Sequence, residues 1–373
     1  MVKRTALIAA FILFSFPALA SEFSLAYPAT VDPRTYGAKC DGTTDDTAAF
    51  LLALNEPGKD SVFVPPTLYG CAIKDLALPA NKTLFGHSAR YYGGAVPTTV
   101  ASRIVPASGA TSIFASATAN TISGIHFYAG GFGGSVNWTN PVAAFIGSPS
   151  RLRLINNTFQ FFGKGVITPA NYTRGLYSQG NIYYGNGLSQ SVAAITNLID
   201  SMSIGDTFTS NYNGLSFGTG ANSNFISTPR IEWNNHYGIT CYQAGDIDVM
   251  NAQFDRNYDG DVKLTGCHKY NDIGGFKRRA GRTNTAGLNT SIYSGGGNSD
   301  IRFASTMFND GVDDGGEGTL SPAYIFYQAA DTDTNFYITD NNMAGSFVTG
   351  FAVYAGSGSG VVVTGNSGVT DKP

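Results

Sequence analysis

The sequence has little charge and few sulfur-containing, imidazole or indole side chains. Only 13% of its 373 residues are charged, against about 25% in an ordinary soluble domain, and it holds 4 Cys, 4 His, 5 Met and 2 Trp. A disordered chain would be rich in charge and poor in aromatic residues, whereas this chain has 25 Phe and 20 Tyr. Stretches rich in Ala, Glu, Lys and Leu are nearly absent and Gly reaches 46. Long helices are therefore excluded as the main element, and an all-β chain with many turns is predicted.

The sequence also lacks the cationic excess of a nucleic-acid-binding protein. Its formal charge is −3 and its isoelectric point is about 5.8, whereas phosphate contacts require many more Lys and Arg residues than acids. Glycine-rich runs such as that at 295–297 lack the strand and helix that flank a phosphate-binding loop. We therefore expect no nucleic-acid partner and no nucleotide.

Long apolar runs are missing after the N-terminus. Residues 1–20 combine Lys3 and Arg4, an apolar run over 6–16 and the small residues Ala18 and Ala20, which is the pattern of a signal peptide. Spanning a bilayer takes roughly 20 apolar residues, and no later segment approaches that length. We predict a secreted or periplasmic protein without a membrane anchor.

The few cysteines fall into two local groups. Cys40 and Cys71 lie near the N-terminus, and Cys241 and Cys267 lie near the middle. An exported chain meets an oxidising compartment, and neither spacing is that of a zinc knuckle. Two structural disulfides, Cys40 with Cys71 and Cys241 with Cys267, are the simplest expectation.

The middle of the chain is an internal repeat. Aromatic residues recur at steps of 24, 25, 25 and 21 residues, at Phe159, Tyr183, Phe208, Trp233 and Phe254. Glycines keep register four to six residues later, at 165, 187, 214, 238 and 260. A unit of this size cannot bury its own apolar face, so successive units must stack with the spacing of paired strands, about 4.8 Å. The pattern predicts a parallel β-solenoid in which the five aromatic rings stack, with Cys241 and Cys267 joining adjacent turns.

A short helix is predicted before the repeat. Residues 44–54 begin with Thr and Asp and then place apolar residues at helical spacing. A solenoid exposes its terminal coil, which a capping element must cover. We interpret this helix as the cap.

The N-terminal region resembles a known superfamily. Segment 31–50 begins Val-Asp-Pro-Arg-Thr-Tyr-Gly-Ala-Lys-Cys-Asp-Gly and is followed by Ser-Val-Phe-Val-Pro-Pro at 61–66 and Leu-Pro-Ala-Asn-Lys-Thr-Leu-Phe-Gly at 78–86. These motifs are similar to the start of the pectate-lyase-like right-handed β-helix superfamily, which includes rhamnogalacturonases, epimerase-like proteins and phage tailspikes. The resemblance implies an all-β, single-stranded, right-handed parallel β-helix with a short N-terminal capping helix. We expect one domain over 21–373, with the cap and first coils at 31–85 and regular coils over 120–370.

The catalytic set of that superfamily is not carried over. Its polygalacturonase-like members use Asn-Thr-Asp, Asp-Asp, Gly-His-Gly and Arg-Ile-Lys motifs on successive coils. This chain lacks the last two, and its Asp-Asp pairs lie at 45–46 and 313–314. The calcium ligands and the basic residue of the pectate lyases cannot be matched either. The resemblance therefore implies that the protein acts on a carbohydrate, but it does not identify the reaction.

Two successive coils carry the polar residues that such chemistry needs. Stacking places Glu232 near Asp255 and Arg256, and Tyr237 beside Tyr258, with Tyr212 one coil away. Carboxylates can transfer protons and tyrosine faces can hold sugar rings. We take Glu232, Asp255, Arg256 and Asp259 as candidate catalytic residues, and Tyr212, Tyr237, Tyr258, His236, Lys263, Lys277, Arg278 and Arg279 as candidate substrate-binding residues. The alternative is that these are solvated turn positions and an ordinary stacking ladder.

Segment 263–282 is rich in cations in a chain otherwise poor in them. It is predicted to interrupt the repeat as a long projecting loop that either clamps an acidic polysaccharide or is only a soluble insertion. Interruptions are predicted at 86–119 and 263–300, and they would wall a groove along the face of coils 204–263. Segment 310–317 holds four carboxylates suited to calcium, although a plain acidic turn explains it as well. No other metal or cofactor is expected.

Two function classes follow. The first is an extracytoplasmic enzyme, a lyase, hydrolase or epimerase, that acts on an acidic polysaccharide bound along the side of the solenoid. The second is a non-catalytic carbohydrate-binding protein or tailspike-like adhesin on the same fold. In either class the partner is a polysaccharide, and the chain is a monomer or a homotrimer.

Overall fold

The chain winds into coils that each add one strand to the parallel sheets around a common core. A computed structural model describes residues 30–87, 98–131, 137–280, 290–309, 311–313, 318–320, 324–343, 353–354 and 360–367. The predicted signal peptide at 1–20 lies outside these residues. Within them, no helix has the length and apolar character needed to cross a bilayer.

Sheets 1 and 2 run the length of the coils. Strands are numbered in chain order. Sheet 1 contains β1 (Thr30–Val31), β3 (Ser61–Phe63), β7 (Thr83–Phe85), β10 (Thr121–Ser123), β13 (Arg153–Ile155), β16 (Tyr177–Gln179), β20 (Met202–Ile204), β23 (Asn224–Ser227), β26 (Gly245–Met250), β29 (His268–Ile273), β32 (Ser299–Ala304), β37 (Thr334–Thr339) and β39 (Val361–Thr364). Sheet 2 contains β2 (Asp41–Asp45), β5 (Gly70–Ile73), β8 (Ala101–Pro106), β11 (His126–Tyr128), β14 (Thr158–Gln160), β17 (Ile182–Tyr184), β21 (Thr207–Thr209), β24 (Arg230–Glu232), β27 (Gln253–Asp255), β30 (Phe276–Arg278) and β33 (Met307–Asn309).

Sheet 3 has two sections. The first contains β6 (Leu76–Ala77), β9 (Ser112–Ser116) and β12 (Ala143–Phe145), and the second contains β18 (Ala193–Thr196), β22 (Asn213–Phe217), β25 (Tyr237–Tyr242), β28 (Gly260–Thr265), β31 (Thr290–Ser294), β36 (Tyr324–Gln328) and β38 (Val353–Tyr354). Single bridges from Ile167 to Phe145 and to Ile195 join the sections. Three small pairings complete the fold: β4 (Pro66–Thr67) with β8, β15 (Thr173–Arg174) with β19 (Leu198–Ile199), and β34 (Gly311–Asp313) with β35 (Gly318–Leu320).

The interior of sheet 2 is a column of stacked side chains. Phe127, Phe159, Tyr183 and Phe208 lie ring on ring, with centroids 4.8, 5.3 and 4.8 Å apart and planes within 6° of parallel. The spacing is that of hydrogen-bonded strands. The column continues through Ile231, Phe254, Lys277 and Phe308.

The prediction that Trp233 belongs to this column is wrong. Strand β24 alternates, so Ile231 points inward between the outward Arg230 and Glu232. Trp233 follows in the turn with a φ of 54°, and the Arg256 guanidinium lies 4.7 Å from its ring centroid.

Buried asparagine ladders fix the corners on either side of sheet 2. At the first corner, both the backbone nitrogen and the side-chain Nδ2 of Asn157 donate to Asn181 Oδ1. The backbone nitrogen of Asn181 in turn donates to Asp206 Oδ1 at 2.7 Å. At the second, Asn186, Asn211 and Asn234 each donate from Nδ2 to Oδ1 of the next asparagine at 2.9–3.1 Å, and the ladder ends at Asn257. Each turn thereby satisfies polar groups that the coil cannot pair within its strands.

The ladder position Asp206 predicts a pH dependence of stability. Burial raises the pKa of this carboxyl from 3.8 to about 6. Between about pH 4 and pH 6, Asp206 keeps its proton in the folded chain and has lost it in the unfolded chain. The free energy of unfolding of the parent therefore falls as pH rises through this range. Asp206→Asn removes this loss, and its free energy of unfolding relative to the parent should increase by about 3 kcal/mol across the window. Chemical denaturation at pH 4 and pH 7 checks this, with the exposed Asp200→Asn as control. An equal difference at both pH values would contradict it.

Both predicted disulfides are present. Cys40 is bonded to Cys71 and Cys241 to Cys267. Cys241 is the last residue but one of β25 on sheet 3, and Cys267 lies one coil further along, directly before β29. The second bond therefore joins adjacent coils, as the repeat predicted.

The capping helix is present but starts later than predicted. Helix α1 spans Thr47–Asn55, because the preceding residues form β2, and a 3-10 helix spans Pro33–Tyr36. Its buried face packs on the 3-10 helix and on β3. The buried Asp46 carboxylate accepts backbone hydrogen bonds from Lys39, Cys40 and Ala72, which ties the helix start to the first disulfide.

The predicted interruptions at 86–119 and 263–300 are wrong where the structure describes them. Residues 101–106 and 112–116 are β8 and β9. The cationic segment forms β28, β29 and β30 of regular coils, so it is neither a projecting loop nor an insertion. Lys277 points into the core and is 1% exposed. Because lysine is a polar residue, the hydrophobic pattern of the sequence did not indicate that position 277 faces the core.

Candidate functional site

The predicted site residues converge at the corner where sheet 2 turns into sheet 3. Strands β24 and β27 are adjacent, and their register pairs Glu232 with Asp255. The next strand, β30, places Arg278 beside Asp255. The asparagine ladder at Asn211, Asn234 and Asn257 follows directly, so the corner is held rigidly. Two groups of side chains lie here.

The first group is the arginine–carboxylate cluster, formed by Arg230, Glu232, Asp255, Arg256, Arg278 and Arg279. Glu232 and Asp255 are 1% and 4% exposed although both point away from the core. Arg230 Nε donates to Glu232 Oε2 at 2.8 Å. Because Arg230 precedes Glu232 by two residues on one strand, both lie on the same face. That spacing was a signal for Arg230, which sequence reasoning missed.

Asp255 is surrounded by guanidinium groups. Arg256 Nη1 lies 3.0 Å from Oδ2, Arg278 Nε lies 3.4 Å from it, and Arg279 Nε donates to Oδ1 at 2.8 Å. Arg279 Nη2 also donates to Oδ2. Charge-assisted hydrogen bonds hold Arg256 and Arg279 in place, whereas Arg278 contacts Asp255 as an ion pair without a hydrogen bond from Nε. The Arg278 and Arg230 side chains remain 42% and 56% exposed, so the cluster presents cations to solvent.

The second group is the tyrosine hollow, lined by Tyr212, Asn213, His236, Tyr237, Thr240, Asp259 and Lys263, with a volume of about 190 Å³. Tyr212, His236 and Asp259 occupy matching positions on three successive coils, as their backbone hydrogen bonds show. His236 Nδ1 lies 2.5 Å from Asp259 Oδ2. The Tyr212 and His236 ring centroids are 4.3 Å apart. A histidine paired with a carboxylate therefore stands partly exposed against an aromatic ring.

Lys263 and Tyr237 complete the hollow. Lys263 Nζ lies 5.3 Å from the ring centroids of both Tyr237 and Tyr293, a cation–π arrangement. Burial, and after it the nearby Asp259 carboxylate, raises the pKa of Tyr237. Its hydroxyl is therefore protonated at neutral pH and available as a hydrogen-bond donor.

Several sequence predictions about this surface need correction. Register pairs Tyr237 with Gly260, so Tyr237 does not lie beside Tyr258. Tyr237 is also 7% exposed and is no open platform, whereas Tyr258 is 38% exposed. Lys277 is wrong as a substrate-binding residue, because it is buried in the core. Arg279 holds Asp255, which leaves Arg278 as the exposed member of the predicted clamp.

No metal site emerges from the residues that the structure describes. The one group of potential ligands among them is Cys40, Asp46 and Cys71, and both sulfur atoms are joined in a disulfide. The calcium candidate at 310–317 has Asp310 and residues 314–317 outside the described part of the chain.

Comparison with known proteins identifies the fold. No family model matches the sequence. A DFA-IIIase of Arthrobacter chlorophenolicus A6, solved in complex with GF2, superposes with a TM-score of 0.60 at 13% identity, covering 91% of this chain and 93% of its own. The enzymatically active domain of tailspike protein 2 of bacteriophage CBA120 superposes with a TM-score of 0.61 at 12% identity, covering 84% of this chain and 47% of its own. This chain is a right-handed parallel β-helix.

The prediction of a right-handed parallel β-helix is thereby confirmed. At these identities the likeness concerns the fold, and one fold carries many activities. The chemistry must be argued from the two groups of side chains at the corner of sheets 2 and 3.

Proposed function

We propose that this β-helix is an extracytoplasmic enzyme that acts on an acidic polysaccharide bound across the corner of sheets 2 and 3. The two disulfides and the predicted signal peptide support the location. The names of the two similar structures, a DFA-IIIase and an enzymatically active tailspike domain, support a carbohydrate as substrate. The reaction that the side chains favour is removal of the C5 proton of a uronate unit.

The observation that carries this proposal is the His236–Asp259 pair in the tyrosine hollow. When Nδ1 donates its proton to Asp259, the second ring nitrogen, Nε2, is left as a proton acceptor. The Asp259 carboxylate then stabilises the imidazolium that forms. A half-exposed histidine held in this way is suited to act as a general base.

The neighbouring side chains supply the other requirements of the reaction. A proton at C5 becomes acidic only when the adjacent carboxylate is neutralised, and Lys263 and the exposed Arg278 and Arg230 provide cations. Tyr212 offers a ring face to the sugar. Tyr237 carries a hydroxyl proton for the leaving oxygen or for the opposite face of the carbanion. Loss of the O4 substituent gives elimination, and reprotonation at C5 gives epimerisation.

Hydrolysis is less well supported. Glycoside hydrolysis uses two carboxyl groups, one of them as acid. Glu232 and Asp255 are adjacent, but guanidinium groups occupy the Asp255 oxygens and one Glu232 oxygen. That same ion pairing favours the second candidate, a carbohydrate-binding protein or adhesin without turnover, in which the arginine–carboxylate cluster is only a binding surface.

The test is incubation of the full chain with polygalacturonate, alginate and neutral dextran. We expect products from at least one uronate polymer, detected as unsaturated uronates by ultraviolet absorbance or as inverted C5 centres by NMR, and none from dextran. New reducing ends without unsaturation would assign a hydrolase. Binding to uronate polymers without any product would assign the adhesin and overturn the proposal.

A further inference from the structure

Charge is divided unevenly along the solenoid. Between Asp75 and Asp200 the sequence contains no acidic residue but has seven cations: Lys82, Arg90, Arg103, Arg151, Arg153, Lys164 and Arg174. From residue 200 onward, 18 acidic residues accompany 10 cations. Among the Asp, Glu, Lys and Arg residues, only cations therefore lie between Asp75 and Asp200, in a protein whose net charge is negative. None of these cations lines the tyrosine hollow.

Three arginines of this section gather at another corner, where sheet 3 turns into sheet 1. The Arg151 backbone nitrogen donates to the Arg174 carbonyl oxygen at 2.7 Å, so the two residues are neighbours on successive coils. Arg153 lies two residues beyond Arg151, and its guanidinium is 5.0 Å from the Tyr177 ring centroid. All three side chains are exposed.

These arginines differ from those of the arginine–carboxylate cluster. Arg230, Arg256, Arg278 and Arg279 each form an ion pair. Within the described ranges, Arg151, Arg153 and Arg174 have no carboxylate within 4.0 Å. The coils on which they lie supply no acidic residue before Asp200. Their charge is therefore available to a ligand.

A hollow of about 360 Å³ lies beside these arginines, lined by Ser148, Pro149, Ser150, Asn171, Tyr172 and Arg174. The Tyr172 hydroxyl donates to the Thr219 carbonyl oxygen at 2.7 Å, which anchors its ring two coils away. Ser148, Ser150 and Asn171 add hydroxyl and amide groups, and Pro149 adds an apolar ring. The hollow thus combines a guanidinium, an aromatic ring and neutral hydrogen-bonding groups, and its volume is within the range of small-ligand sites, about 300–1,000 Å³.

We propose that this hollow, with Arg151, Arg153 and Arg174, is a second binding site for an acidic polysaccharide, separate from the tyrosine hollow. Guanidinium groups match the planar or tetrahedral oxygens of a carboxylate or sulfate ester. Tyr172 and Tyr177 provide ring faces for the sugars that carry those groups. A net negative protein with only three cations here does not provide the long basic track that a nucleic acid needs. The site lies at a different corner and on earlier coils, so it holds the polymer independently of turnover.

The test measures polymer binding in the His236→Gln background, which lacks the proposed general base and is intended to prevent turnover. Probes are polygalacturonate for carboxylates, dextran sulfate for sulfate esters and neutral dextran as the uncharged analogue. We expect Arg174→Ser to weaken binding of at least one charged probe about tenfold. The triple variant Arg151→Ser, Arg153→Ser and Arg174→Ser should weaken it about a hundredfold and flatten its salt dependence.

Arg302→Ser is the matched control. Arg302 is an exposed arginine on the same outer row of sheet 1 as Arg153, far along the sheet. We expect its binding to stay within about twofold of the parent, since long-range attraction is screened at physiological salt. Circular dichroism shows whether each variant is folded.

Three results would overturn the second site: parental affinity in the folded triple variant, equal weakening by Arg302→Ser, or duplex DNA competing as well as the charged glycans. The outcome is independent of the proposed function. If no polymer is turned over by the parent, the proposed enzyme fails, whereas loss of binding in the triple variant still supports this site.

Discussion

Asp272→Ala is expected to lower the free energy of unfolding by about 3–5 kcal/mol. Lys277 Nζ lies 2.7 Å from Asp272 Oδ2, and neither side chain is exposed to solvent. Removing the carboxylate leaves an ammonium group uncompensated in the core, where an unpaired charge is costly. Urea denaturation at pH 7 measures the loss.

The double variant Asp272→Ala with Lys277→Met separates the charge from the packing. Lys277 occupies the interior column between Phe254 and Phe308, with Nζ 4.5 Å from the Phe254 ring centroid. A methionine fits a column of apolar side chains, and replacing a buried ion pair by apolar residues is often neutral. We expect the double variant to recover most of the lost stability. The exposed Asp248→Ala, on the adjacent strand β26, should cost less than about 1 kcal/mol.

If the single variant were as stable as the parent, the Lys277 amine would not depend on Asp272 for its burial. If the double variant were no more stable than the single one, the loss would come from the cavity at position 272. Either result would contradict the interpretation of this pair as a compensated charge within the solenoid.

His236→Gln is expected to reduce turnover of the uronate substrate by about 10²–10⁴-fold. Glutamine keeps a polar group beside Asp259 but cannot accept a proton at the position of Nε2. Because Tyr212, Lys263 and Arg278 are unchanged, polymer affinity should stay within about threefold. Initial rates at saturating polymer, together with equilibrium binding, measure both quantities.

Asn235→Ala is the matched control for His236→Gln. Asn235 is the preceding residue and is exposed, and its backbone nitrogen donates to the Asn211 carbonyl oxygen, a bond that alanine retains. We expect the parental rate. The turnover rate of Asp259→Asn should lie between those of His236→Gln and Asn235→Ala, because the imidazolium would lose its counter-charge while the base remains. Parental turnover by folded His236→Gln would move the chemistry away from the tyrosine hollow, with the Glu232 and Asp255 pair as the next candidate.

The sequence predicted the solenoid because the repeat is long and its markers are in phase. Each coil must offer inward apolar residues at the same places, so Phe159, Tyr183 and Phe208 recur at nearly one coil length and stack as expected. The cysteine pairs follow from the same period. The asparagine ladders were visible as well, since Asn186, Asn211, Asn234 and Asn257 recur at 23–25 residues, yet an asparagine in a turn is usually assigned to the turn alone.

Two errors in the predicted site share one cause. Choosing Trp233 as the anchor made the step to Phe254 21 residues, whereas the true step from Ile231 is 23. A register error of two residues preserves which side of the strand is inward, so it was not evident from the hydrophobic pattern. It placed Tyr237 beside Tyr258 instead of Gly260. His236 and Asp259 are also 23 residues apart. The correct coil length therefore predicts that they are neighbours on successive coils.

The third error was the cationic loop. Strand assignment depends on alternation of apolar and polar residues, and Asp272 and Lys277 both occupy inward positions there. In the sequence alone, the two members of a buried ion pair are indistinguishable from two charged residues exposed to solvent. Distances in space are needed to find that each neutralises the other.

Hydrogen exchange at C5 tests the central claim most directly. Polygalacturonate and alginate are incubated with the full chain in deuterium oxide, and the recovered polymer and products are analysed by NMR and mass spectrometry. If His236 removes the C5 proton, deuterium appears at C5 of epimerised units, or unsaturated uronates form with loss of the C5 hydrogen, and both signals disappear in His236→Gln and persist in Asn235→Ala. Products that retain the original C5 hydrogen, or signals unchanged in His236→Gln, would contradict the account.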